Sequence, residues 1–191
     1  MTLREDIWDI LLFCCLLSAN PIPCNSTGGD SMCSVAYDYQ ILKLSDLFYQ
    51  AYPHSKYREI LIKNTRSYNC LLLQTHYDYF ICIPYRTEIN HNYAFLFTAT
   101  KRSRSHKSGL DYTKIIIIKN PVYLDSATIA LIDKDEYIET VKNIDKISHS
   151  AMEFVEDYVN HHSGLSLLHP SEYRRRYQYS SLQYFHPELN L

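Results

Sequence analysis

Residues 101–118 read KRSRSHKSGLDYTKIIII. The end of this stretch decides the fold. Four consecutive isoleucines, Ile115 to Ile118, cannot all face water, so they form a buried strand or the core of one. The start is its opposite. Lys101, Arg102, Arg104 and Lys107 stand with His106 within seven residues, and no acid lies among them. Gly109 lets the backbone turn between the two halves. A basic loop attached to a rigid core strand is an arrangement suited to holding phosphate. A charge run alone is more often a solvated face, so the surroundings have to carry the reading.

Downstream, Asn120-Pro121 closes the isoleucine strand, and Val122–Leu124 and Thr128–Ile132 read as further short strands. Asp133 as N-cap, with Glu136 three residues on, opens one long helix. Its apolar residues Tyr137, Val141, Ile144, Ile147, Ala151, Phe154 and Tyr158 step by three or four and form one stripe. Gly164 is the natural stop. A shorter helix runs from Ser171 through Tyr177, and Leu182, Tyr184 and Phe185 are apolar anchors near the C-terminus.

Upstream, Tyr93–Thr98 is a strand, and Tyr68–Gln74 and Tyr79–Arg86 form a hairpin through His76-Tyr77-Asp78. Pro84 confines the second hairpin strand to an edge or an end. The folded body begins near Lys43, and Ser45 caps a helix, Asp46–Tyr52, that Pro53 stops. Strands joined by hairpins and followed by helices make the class α+β, with a mostly antiparallel sheet.

The chain has 191 residues, one domain with an N-terminal extension. Residues 1–31 differ from the rest. Ile10–Leu17 is an apolar octet, too short to span a bilayer, and the acids Glu5, Asp6 and Asp9 before it argue against an export signal. A polar linker leads to Met32, so residues 1–31 are expected to lie outside the fold and 32–191 to form a single domain. Four of the six cysteines precede residue 34. Cys70 and Cys82 lie in apolar runs and read as small core residues.

Net charge is −2, so nucleic-acid binding is announced by local patches, Lys101–Lys107 and Arg174–Arg176, rather than by overall charge. Eighteen tyrosines are an excess that suits half-buried strands and also surfaces that meet flat rings. Several chemistries are excluded. The sequence lacks H-E-x-x-H, a C-x-x-C pair and a compact carboxylate cluster, and adjacent His161-His162 cannot chelate one ion as an i, i+4 pair does. No metal or other cofactor is expected. Neither phosphate-binding glycine motif is present, which excludes ATP and dinucleotide chemistry.

What remains is a cation-rich site with hydroxyls. If strands Tyr79–Arg86 and Asp111–Ile118 are neighbours, then Arg86, Thr87, His91, Lys107 and Ser108 converge. Metal-free RNA cleavage needs such a set: a base for the ribose 2′-OH, cations for the phosphorane, an acid for the leaving 5′-oxygen. Each residue also has a plainer reading. Arg86 pairs with Glu88, Asp111 caps or pairs with Lys114, and His91 is a loop histidine.

YFICIPYRTEINH at 79–91, HKSGLDYTKIIII at 106–118 and SSLQYFHPEL at 180–189 together resemble the type III toxin–antitoxin endoribonucleases. The TenpN/CptN branch is nearest, with ToxN and AbiQ more distant, over roughly Ile41 to Leu191. The resemblance implies a compact antiparallel barrel-like sheet with surrounding helices, similar to the MazF/Kid toxins. It implies a cytoplasmic, metal-independent endoribonuclease in phage defence. Its partners would be cellular RNA as substrate and a repeated antitoxin RNA, whose pseudoknots close toxin and RNA into a ring. The ToxN-like toxins carry a Ser/Thr-Ser-Pro-Lys run after the strand matching Tyr79–Ile83. This chain has Arg86-Thr87-Glu88 there, so the catalytic cation is Arg86 or Lys107. Thr87 and Ser108 position the phosphate, His91 or His106 serves acid–base roles, Asp111 fixes the loop, and Lys101, Arg102 and Arg104 bind the backbone. Tyr112 completes the expected RNA-contacting set. Two rival classes remain, an RNA- or ribosome-binding module that does not cut and, ranked last, a secreted protein.

Overall fold

The computed structural model describes residues 39–62, 68–125 and 127–191. All of them belong to one compact unit, Ala36–Leu191. The expected extension 1–31 and its cysteines lie outside the described residues.

Strand β3 (Phe80–Arg86) organises the sheet. Its residues Ile81, Cys82 and Ile83 are fully buried. On one side it pairs antiparallel with β2 (Asn69–Gln74), and β2 pairs in turn with β1 (Tyr39–Leu44). On the other side it has two successive partners. Phe80–Cys82 face β6 (Ile116–Ile118), and Tyr85 and Arg86 face β5 (Gly109–Asp111). Strands β5 and β6 are thus two halves of one segment, interrupted by a single 3₁₀ turn, Tyr112–Lys114. The adjacency of these two strands, on which convergence of the five side chains depends, is therefore present. Pro84 falls where pairing passes from β6 to β5, a break in the ladder where a residue without an N–H is tolerated inside a sheet. That is why Pro84 sits in a central strand rather than at an edge.

β4 (Ala94–Leu96) adds to β5, and β7 (Leu124–Asp125) adds to β1. The seven-stranded sheet runs β4-β5-β3-β2-β1-β7, with β6 also on β3. Every strand pairing among the described residues is antiparallel, and the class is α+β as expected. The sheet is open and not a barrel. Closure would require β4 to pair with β7, and these end strands are only three and two residues long.

Both faces of the sheet are covered, which is why its central strands read as continuous apolar runs. From one face Tyr85 reaches Thr140 of helix α3 (Lys134–Lys142), hydroxyl to hydroxyl at 3.1 Å. On the same face the Tyr112 ring lies 6.4 Å from Phe154 of α4 (Ile144–His162). On the other, Tyr49 of α1 (Asp46–Ala51) sits beside Cys70 and Cys82, and its neighbour Phe48 is fully buried. Cys70 and Cys82 are free, buried thiols, as expected, and burial pushes Cys70 up to about 12.

Local signals held where the chain decides locally. Ser45 accepts from the Phe48 N–H at the start of α1, and Gly164 takes the left-handed φ of +72° that ends α4. Five expectations give way. β1 begins at Tyr39, before Lys43. The basic loop is mostly a helix, α2 (Lys101–Ser105), because Thr100 and Ser103 close a capping box around its first turn. The long helix is two, broken at Asn143, whose backbone leaves helical geometry (φ −118°, ψ 18°) and whose Nδ2 donates to Glu139 O. The buried stripe accordingly holds only in α4, at Ile147, Ala151, Phe154 and Tyr158, while Tyr137 of α3 is exposed. Thr128–Ile132 is not a strand, and Ile129 and Leu131 face solvent. Lastly, Gly109 lies in β5 and not in a turn. A Cβ there would sit 2.0 Å from Phe95 O, so the glycine allows β4 to approach β5.

Candidate functional site

The site lies where β3 ends and β5 begins. Register sets its geometry. Arg86 is opposite Gly109 and Tyr85 opposite Leu110. Side chains alternate across a strand, so Arg86 and Asp111 share one face while Tyr85, Leu110 and Ser108 take the other.

Asp111 is the centre. Its carboxylate is fully buried and receives the Arg86 guanidinium at 2.6 Å. Its second oxygen accepts from the Thr113 N–H at 3.0 Å and the Thr113 hydroxyl at 2.7 Å, and His91 Nε2 lies 3.4 Å from it. That last contact is an ion-pair distance without hydrogen-bond alignment, and both His91 nitrogens lack a hydrogen bond in the folded chain. Burial alone would raise the Asp111 carboxyl. The partners His91, Thr113 and Arg86 outweigh burial and hold it below its ordinary value. Asp111 is therefore ionised and inaccessible, a group that positions others. Arg86 pairs with it rather than with Glu88.

Glu88 has another partner. It stands 2.5 Å from His106 Nδ1. The two segments are sewn together by backbone, with the Ile89 N–H donating to Lys107 O at 3.0 Å. Two histidine–carboxylate pairs, His91–Asp111 and His106–Glu88, therefore belong to adjoining segments that also carry Arg86, Thr87 and Lys107. Arg86 and His91 are each about a third exposed, His91 through its side-chain carbons because both its nitrogens are buried, and Thr87 is half-buried.

Other expected site residues are placed apart from this set. Ser108 is buried on the opposite face, where it adjoins Glu136 of α3, its hydroxyl without a well-formed hydrogen bond. The front half of the basic segment is held by the acidic start of α3. Arg102 meets Asp133 at 2.8 Å and Glu136 at 3.5 Å, and the Lys101 N–H donates to Asp135 at 2.6 Å. Glu139 accepts from the N–H groups of Thr98 and Ala99. Arg104 and Lys107 are exposed, with no ion-pair partner among the described residues. The free cationic face is narrower than the sequence suggests. Tyr112 is buried, its hydroxyl pushed up to about 12 by that burial.

Lys114 enters the site from outside the expected set. It donates to Tyr179 O at 2.7 Å instead of pairing with Asp111. Burial lowers its pKa, Asp111 and Glu59 oppose that, and Arg86 adds to it. The one sequence signal that bore on this corner was the Asp111-x-Thr113 spacing, which favours a carboxylate bonding the N–H two residues on. Among the described residues no group of three or more His, Cys, Asp or Glu is arranged to hold a metal ion. Among the described residues, too, no helix is long and apolar enough to cross a membrane. No protein-family model, curated protein or solved structure matches the chain.

Proposed function

We propose that this chain is a metal-independent endoribonuclease, the cytoplasmic toxin of a type III toxin–antitoxin system in phage defence. In this reading a repeated pseudoknot RNA restrains it by forming a closed ring with it. The observation that carries the catalytic part is the pair of histidine–carboxylate dyads, His91–Asp111 and His106–Glu88, on segments joined through Ile89 and Lys107. Transesterification of RNA takes one group to accept the 2′-OH proton and another to return a proton to the leaving 5′-oxygen. His106, hydrogen-bonded to Glu88, and His91, at ion-pair distance from Asp111, are the two groups we assign to those tasks. Arg86 turns part of its guanidinium to Asp111 and keeps further N–H donors for the phosphorane, and Lys107 adds an exposed charge. Thr87 supplies a hydroxyl for the phosphate. Asp111 acts through Arg86 and His91. Ser108 has no part in this version of the site, because it is on the other face.

The partners and biological setting rest on the sequence resemblance, above all on HKSGLDYTKIIII and SSLQYFHPEL. The test is incubation of the full chain with cellular RNA in EDTA, followed by mapping of the cut ends. The expected products carry 2′,3′-cyclic phosphate and 5′-hydroxyl ends. Cleavage only with magnesium overturns the mechanism. Binding without cleavage in either condition replaces the enzyme by an RNA- or ribosome-binding module, a reading favoured by Arg104 and Lys107, which are exposed and have no ion-pair partner among the described residues. Lys107→Ala is expected to leave stability within about 0.5 kcal/mol and to abolish toxicity and cleavage.

A further inference from the structure

Beside the site, at the outer edge of the sheet, lies a cleft of about 300 Å³ that the expected residues do not account for, apart from Tyr112 at its floor. Its walls combine strand β4 with α4 and with α5 (Pro170–Tyr177). Tyr93, Phe95 and Tyr112 come from the sheet, and Phe154, Lys146 and Arg176 from the helices. Three features of this cleft bear on its ligand.

The first is flat aromatic surface. Tyr93 and Phe95 are half-buried, so each shows part of its ring, while Phe154 and Tyr112 are buried beneath. The second is positive charge placed on those rings. Lys146 Nζ stands 5.9 Å from the Phe95 ring centre, and the Arg176 guanidinium stands 5.7 Å from Tyr93. Arg175 donates to the Tyr93 hydroxyl at 3.0 Å. Arg176 is tied to Asp157 at 2.8 Å, yet its Nε has no hydrogen bond. The third is an open strand edge. β4 pairs only with β5 among the described residues, and strand alternation turns the N–H and C=O groups of Ala94 and Leu96 outward. These groups, with the Glu153 carboxylate, offer donors and acceptors beside the rings.

We infer that this cleft binds one unpaired nucleobase of an RNA strand, stacked on Tyr93 and Phe95, with an adjoining phosphate on Lys146. Aromatic faces give sequence-tolerant stacking, a cation takes the phosphate, and a free backbone edge reads the polar rim of the base. The cleft is joined to the proposed catalytic residues by His91, whose ring lies 6.4 Å from Tyr93 and only 27° from parallel to it. A strand passing around β4 would thus seat a base in the cleft and a phosphate near Arg86 and His91. The inference rests on the RNA-directed reading above, but not on cleavage.

The test uses the full chain and a single-stranded 2′-O-methyl oligoribonucleotide, which lacks the attacking hydroxyl, carrying one 4-thiouridine. Irradiation and peptide mapping locate the base, while affinity is measured for wild type, Phe95→Leu and Lys146→Ala. Crosslinks are expected on Tyr93 or Phe95. Phe95→Leu, which keeps apolar volume but loses the ring, is expected to weaken binding about tenfold. Lys146→Ala, at an exposed helix position, is expected to lower the salt slope by about one. Binding with crosslinks only elsewhere, and with Phe95→Leu at wild-type affinity, overturns the cleft and leaves the nuclease reading standing. No binding of the oligonucleotide overturns both. Crosslinks in the cleft of a protein that never cuts unmodified RNA support the cleft and remove the nuclease.

Discussion

Asp111 and Glu136 are both buried carboxylates, and each holds an arginine beside strand β5 or the helix before it. Their chemistry runs in opposite directions. Asp111 is held below its ordinary value, whereas burial pushes Glu136 above its own. Exposure does not separate them, at 0% and 1%. Donors do. Asp111 has Arg86 at 2.6 Å and two bonds from Thr113, with His91 at ion-pair distance. Glu136 has Arg102 at 3.5 Å and the poorly aligned Ser108 hydroxyl, with Asp133 and Asp135 close enough to repel it. The lesson is that burial sets the cost of a charge, and the number and alignment of donors decide whether the charge is kept. The side with the stable charge is the side that presents Arg86 and His91.

The largest expected effect tests that difference directly. Asp111→Ala strands the Arg86 guanidinium and removes the Thr113 cap. It is expected to cost about 3 kcal/mol, at the low end for a buried pair because Arg86 is partly exposed, as read from urea unfolding. Gly109→Ala should come next, at about 2 kcal/mol, because its Cβ collides with Phe95 O and pushes β4 off β5. Amide exchange would register that loss first at Ala94–Leu96. A comparison of pH profiles sharpens the contrast. The folded Asp111 value lies below the unfolded one, so its contribution is complete above the ordinary carboxylate value of 3.8 and is lost as pH falls below that. Asp111→Asn should therefore flatten the acid limb of the stability curve. The smallest change is expected for Glu136→Gln. Its ionised form already costs stability above its raised folded value, so the neutral variant gives back that cost while losing the attraction of Arg102. The net shift at neutral pH should stay within about 1 kcal/mol. A loss from Glu136→Gln as large as that from Asp111→Ala would end the comparison.

Much of this molecule was determined by the sequence alone, wherever a residue's consequence is local or obligatory. Four isoleucines in a row had to be buried, Ser45 had to cap the turn beside it, and Gly164 was the residue able to end α4 in a left-handed conformation. The site was legible as a set of segments, Arg86–His91 beside Lys107–Asp111, because both adjoin strands that the apolar pattern marks. Tertiary structure alone decided how those segments are used. It paired Arg86 with Asp111, 25 residues on, instead of Glu88, two residues on. It turned Ser108 away from Arg86, since alternation is fixed only once a strand has a register. It opposed half of the basic segment with the acids of α3, and it built an aromatic cleft from residues as far apart as Tyr93 and Arg176. Such choices depend on which faces meet and at what distance. Propensity and periodicity act over a few residues, while ion pairing and cleft formation act between elements that only packing brings together.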